Sequence, residues 1–77
     1  MERKQESIYP VVALVGSSPT SFEDAVRNAV DMASGSLRDL RIAEVTELDV
    51  RLDDKGKIAA FRAKVNLSMK YEKNGMD

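Results

Sequence analysis

The sequence predicts an α+β subunit of β-α-β-β order, with a three-stranded antiparallel sheet in spatial order 1-3-2 packed on one helix. Three observations lead there. A β-branched apolar run occupies residues 8–15, and an amphipathic helical stripe follows from Phe22 to Ala33. Two further extended segments are joined by Asp53-Asp54-Lys55-Gly56, which carries hairpin turn chemistry. A hairpin makes strands 2 and 3 antiparallel. A helix returning along the sheet leaves strands 1 and 2 pointing the same way. A wholly antiparallel sheet then needs strand 3 in the middle.

Each element has its own signal. Ile8 to Val15 is short enough and β-branched enough for a strand, and Pro10, lacking an N–H, belongs at its edge or its start. Gly16-Ser17-Ser18-Pro19 is expected to break that strand. Two capping patterns follow, Thr20-x-x-Glu23 and Ser21-x-x-Asp24, and either starts a helix. Phe22, Ala25, Val26, Ala29, Val30 and Ala33 form one helical stripe. Gly35 stands where a left-handed terminating residue belongs, and Leu37 and Leu40 extend the spacing into a further helical turn. Over residues 41–52 the apolar phase is odd at Ala43 and Val45, then even at Leu48, Val50 and Leu52. Such a switch calls for a bulge, or for a strand that changes which side it buries. The last strand alternates strictly, with Ala59, Phe61, Ala63, Val65, Leu67, Met69 and Tyr71 on one face. Residues 1–7 and 72–77 read as loose tails around one domain at 8–71.

The geometry leaves a surplus. A strand of about 14 residues runs ~46 Å, and a helix of about 14 residues covers ~21 Å. One helix cannot cover the apolar face of such a hairpin, so other copies of the chain are expected to bury the remainder. With 77 residues and no Cys, the chain has neither disulfides nor thiolate ligands to staple a small core. It also lacks His, the commonest general base and metal ligand. A self-contained enzyme is therefore not expected. Lys and Arg total 12 against 13 Asp and Glu, which is not the basic balance of a nucleic-acid binder. No apolar run approaches the ~18 residues of a membrane span. The opening Met1–Ser7 has no apolar leader core, so a soluble cytoplasmic protein is expected.

Four constellations carry chemistry. Gly16 to Ser21 sits between strand and helix, where backbone N–H groups attract anions, but the second Gly and the Lys of a phosphate loop are missing, and a turn plus cap is expected. The hydroxyls there have no His to activate them. Glu44, Glu47 and Asp49 offer hard oxygen ligands to Ca²⁺, completed by neighbouring subunits, against the plainer reading of a solvated, ion-paired strand face. Arg41, Arg51, Arg62 and Lys64 are candidate anion contacts, against ordinary cross-strand pairing with the same acidic residues.

Val11-Val12-Ala13-Leu14-Val15-Gly16-Ser17-Ser18-Pro19, then Phe22 to Val30, then Leu40-Arg41-Ile42-Ala43-Glu44-Val45, and the closing Phe61 to Leu67, together resemble the dodecins. The resemblance covers residues 8–69. It implies a subunit assembled into a hollow homododecamer of cubic symmetry that binds flavin, FMN or riboflavin, in pairs near a twofold axis without catalysis. Its role by that resemblance is to store or sequester the ligand, and some dodecins also bind coenzyme A. In flavin-binding dodecins a Trp of the second strand stacks on the ring and a Gln of the third pairs with its edge. The matching positions here are Ile42 and Arg62. Ile has no π-face and Arg has no acceptor, so the shell is expected to persist while tight flavin binding is weakened or lost.

Overall fold

The computed structural model describes residues 9–70. The expected tails at 1–7 and 72–77, and Tyr71 at the end of the last strand, lie outside the described residues. The elements are β1 (Val11–Ser18), α1 (Phe22–Ser34), β2 (Leu40–Leu52) and β3 (Ile58–Met69). They form one antiparallel sheet in the order β1-β3-β2, with β3 central as the hairpin argument requires.

β1 begins one residue after Pro10, so the missing proline N–H falls outside the ladder. The Pro10 carbonyl still accepts from the Met69 N–H at 3.1 Å. The expected break at Gly16 does not occur: pairing with β3 continues through Gly16↔Ala63, Ser17↔Arg62 and Ser18↔Phe61. Gly16 serves packing instead. A Cβ there would overlap the Ala25 carbonyl oxygen and meet the Ala29 Cβ at 3.0 Å. The helix therefore lies against the bare backbone of β1 at Gly16 through Ala25 and Ala29, which like Ala33 are buried. These alanines join Ala63, Val65 and Leu67 of β3 in the core, flanked by Leu14, Val26, Val30, Leu37 and Leu40. Phe22 closes one end of this layer, edge-on to Phe61 at 5.0 Å between ring centres.

Of the two capping patterns, the second is used: the Ser21 hydroxyl accepts from the Asp24 N–H at 3.0 Å. At the other end Gly35 keeps right-handed backbone, with φ −75°, so it is not the left-handed terminator expected. Nor does a further helical turn form. The Ala33 carbonyl accepts from both Ser36 and Leu37, which closes the helix. The left-handed residue is Asp39, with φ 58°, immediately before Leu40 opens β2.

Register shifts interrupt the β2–β3 ladder at Leu40/Ile42, Val45/Glu47 and Arg51/Leu52. The second leaves Thr46 as the extra residue, so of the two ways to switch phase the strand uses the bulge. The third falls on Ala59 of β3, and Ala60 rather than Ala59 is buried at that end, which departs from the simple alternation. Helix and sheet differ in length as anticipated. The molecule measures 61 × 26 × 15 Å, whereas 13 helical residues span only ~20 Å. The β2–β3 hairpin extends beyond the helix, and Val45, Leu48, Leu52 and Ile58 stay exposed on it.

Candidate functional site

Residues directly opposite in an antiparallel pair place their side chains on the same face. Val65 and Leu67 are buried under α1, so their partners Leu14, Val12, Val45 and Ala43 share the helix side. The intervening residues Arg62, Lys64, Asn66 and Ser68 face away from the helix. Their partners on β2 are Asp49, Glu47, Glu44 and Ile42. With Arg51 opposite Ala60, seven of the eight candidate residues from the sequence thus share the one open face of the sheet, and a bulge brings the eighth, Arg41, beside Ile42.

The Thr46 bulge makes this possible. Without it, Glu44 and Glu47, one even and one odd, would point to opposite faces. The extra residue restores both carboxylates to the open side and turns Leu48 and Val50 to the helix side. Thr46 itself donates its hydroxyl to the Lys64 carbonyl at 3.2 Å.

Cross-strand ion pairs occupy the centre of this face. Arg62 grips Asp49 with two hydrogen bonds, Nε to Oδ1 at 2.7 Å and a terminal nitrogen to Oδ2 at 3.0 Å. Lys64 Nζ lies 3.4 Å from Glu47 Oε1. The hydrogen bond from Arg62 holds the Asp49 carboxyl below its usual pKa. Partial desolvation opposes this, and the charges of Arg62 and Lys64 reinforce it. Both pairs are well exposed, so they organise the surface more than they stabilise the fold. Two of the three proposed calcium ligands and two of the four anion contacts are therefore engaged with one another. Among the described residues no group of three or more Asp or Glu side chains converges to hold a metal ion within one chain.

Ile42 and Arg62, the two positions matched to a flavin site, are not brought together within the chain. Ile42 faces Ser68 and Arg62 is six residues further along β3, a separation of ~20 Å. Around Ile42 there is instead a hollow of about 590 Å³ lined by Tyr9, Val11, Arg41, Ile42, Ser68 and Lys70. Of these, the sequence reasoning had singled out only Arg41 and Ile42. The overlooked signal was in β1: its apolar residues do not alternate with polar ones, so Val11 and Val15 present aliphatic surface on the side away from the helix.

The segment before α1 is the turn and cap expected, not a phosphate loop. The Ser18 hydroxyl, 1% exposed, accepts from the Thr20 N–H at 2.9 Å and donates to Asp24 Oδ2 at 2.8 Å. The donor that an anion would use is already satisfied, and a carboxylate stands at the mouth. Asn28 ties the helix to β1 by donating to the Ser17 carbonyl at 2.9 Å.

One short helix laid on a β-α-β-β sheet whose other face is open defines a small α+β fold of the dodecin type. The chain belongs to the dodecin family, whose family model matches residues 8–72. It is 44% identical over 64 residues to the calcium dodecin of Mycobacterium tuberculosis, covering 83% of this chain and 89% of that one. The crystal structure of that relative, described as a calcium-chelating antigen with a novel calcium-binding site, aligns with a TM-score of 0.75 at 41% identity over 88% of this chain and 96% of the relative. The dodecin from Streptomyces coelicolor aligns with a TM-score of 0.80 at 36% identity, over 90% of this chain and 97% of its own.

Proposed function

We propose that the chain is the subunit of a non-enzymatic homododecameric shell that binds, stores or sequesters a small ligand. The observation that carries this reading is the overhanging hairpin. Val45, Leu48, Leu52 and Ile58 are 42–54% exposed on a sheet that the helix does not reach. An apolar strip of that kind on a small chain is covered by other copies or becomes an aggregation site. The absence of His and Cys from the sequence removes the usual bases and thiol nucleophiles, in keeping with a binding role. Native mass spectrometry of freshly purified protein tests assembly and cargo together. A particle of twelve subunits is expected at micromolar concentration, and a monomer or dimer sinks the proposal.

Flavin is the ligand that family membership favours. Ile42 argues against tight flavin stacking here, since an aliphatic side chain offers contact area without a π-face. Coenzyme A is a further ligand by the same family logic.

A calcium-holding shell is the second reading, favoured by the name of the Mycobacterium tuberculosis relative. Glu44, Glu47 and Asp49 line one face of β2, and neighbouring copies would complete the coordination. The ion pairs to Lys64 and Arg62 compete directly with such a site. Ca²⁺ bound to the folded state alone raises the melting temperature by mass action. The ion pairs lead us to expect melting curves that coincide in chelator and in millimolar Ca²⁺. An upward shift in Ca²⁺, lost in Glu44→Gln, would establish the calcium reading instead.

A further inference from the structure

The hollow around Ile42 has a chemistry of its own, and a backbone irregularity creates it. Val11, Ser68 and Ile42 lie in one row across the three strands of the open face. In an unbroken strand Arg41 would point away from that face, because neighbours alternate. The register shift between Leu40 and Ile42 makes Arg41 the extra residue, so Arg41 and Ile42, adjacent in sequence, line the same hollow. The result is a guanidinium beside aliphatic surface. Val11 and Ile42 are 59% and 63% exposed, and the Ser68 hydroxyl lies between them. Among the described residues of the lining, Arg41 and Lys70 carry charge and none is Asp or Glu. Arg41 has no ion-pair partner among the described residues, in contrast to Arg62 and Lys64. About 590 Å³ is within the size range of small-molecule sites.

We propose that this hollow binds an amphipathic organic anion with an aliphatic body. The carboxylate or phosphate pairs with Arg41, and the chain lies along Val11 and Ile42. The proposal rests on the ligand-holding reading above and names the ligand class for it. Guanidinium matches the planar geometry of a carboxylate with two parallel hydrogen bonds. The β-branched side chains supply dispersion and water exclusion, which a flexible alkyl chain uses as well as a flat ring does. Among the described lining residues Tyr9 is the one aromatic, a single ring rather than a stacking slot.

Decanoate, decanol and riboflavin titrated calorimetrically into the assembled protein test this. Saturable decanoate binding is expected, weakened about tenfold in Arg41→Gln, the loss of one charge-assisted contact. Decanol is expected to be indifferent to Arg41→Gln, and both aliphatic ligands to be weakened by Ile42→Ser in variants that keep the native particle size. Decanoate affinity unchanged in Arg41→Gln overturns the proposal. So does a protein that binds riboflavin tightly and decanoate not at all, although the ligand-holding reading survives that result. Binding of none of the three by the intact shell removes both. An Ile42→Ser protein that falls to smaller particles, with no acid bound by the parent, means that a second copy fills the hollow, and this too overturns the proposal.

Discussion

Gly16→Ala is expected to lower the melting temperature by roughly 12–24 °C. The new Cβ would overlap the Ala25 carbonyl oxygen and press on the Ala25 carbonyl carbon and the Ala29 Cβ, each 3.0 Å away. Backbone atoms and a lone methyl cannot swing aside, so the whole helix must lift from β1. Overpacking of this kind costs about 3 kcal/mol, and each kcal/mol moves the midpoint of so small a domain by about 4–8 °C. The chain's total stability is on the order of 4–11 kcal/mol, so the change removes a large share of it. Gly35→Ala is the control. Its Cβ meets the Met32 carbonyl oxygen at 3.4 Å, an ordinary contact, on right-handed backbone. Melting of both variants and the parent at equal protein concentration reads the difference. A Gly16→Ala protein melting within about 4 °C of the parent contradicts the close helix–strand contact.

The second large effect concerns flavin. The parent is not expected to quench riboflavin fluorescence at low micromolar concentration. Ile42→Trp restores a stacking face, worth about 1–3 kcal/mol per ring, which is roughly fivefold to 150-fold in affinity. Arg62→Gln supplies an acceptor and releases Asp49 from its clamp at little cost, because the pair is exposed. The ~20 Å between these positions in one chain sharpens the experiment. They contact the same ring only if assembly brings Arg62 of one copy toward Ile42 of another. Coupling beyond additivity in the double variant therefore reports that geometry. Strict additivity would place the two residues at separate sites, and a double variant that assembles without any gain would mean that the pocket no longer accommodates a flavin.

Local pattern made the fold readable. The alternation from Phe61 to Met69 identified a strand buried on one face, and the hairpin argument set it at the centre of the sheet. The change of phase between Val45 and Leu48 called for a bulge or a change of buried side, and the extra residue Thr46 keeps one face of β2 apolar while the parity changes. The Ser21-x-x-Asp24 cap and the alanine stripe of α1 were equally plain, as each depends on neighbours within a single turn.

Other features depended on contacts between distant segments. Gly16 looked like a strand terminator, because a glycine in isolation signals flexibility; the approach of Ala25 reveals it as a packing contact inside an unbroken strand. The acidic row of β2 and the cations of β3 were visible as residue types. Which carboxylate meets which cation depends on a register that three bulges set, and that register pairs Arg62 with Asp49 and Lys64 with Glu47. The hollow at Ile42 was least legible of all. It needs Tyr9 and Val11 from one edge, Ser68 and Lys70 from the centre and a bulged Arg41 from the other edge. The sequence by itself determined the elements, their order and the faces they bury, because those follow from periodicity along the chain. The tertiary structure decided which side chains stand together on the open face, because that depends on strand register and on bulges that re-aim single residues.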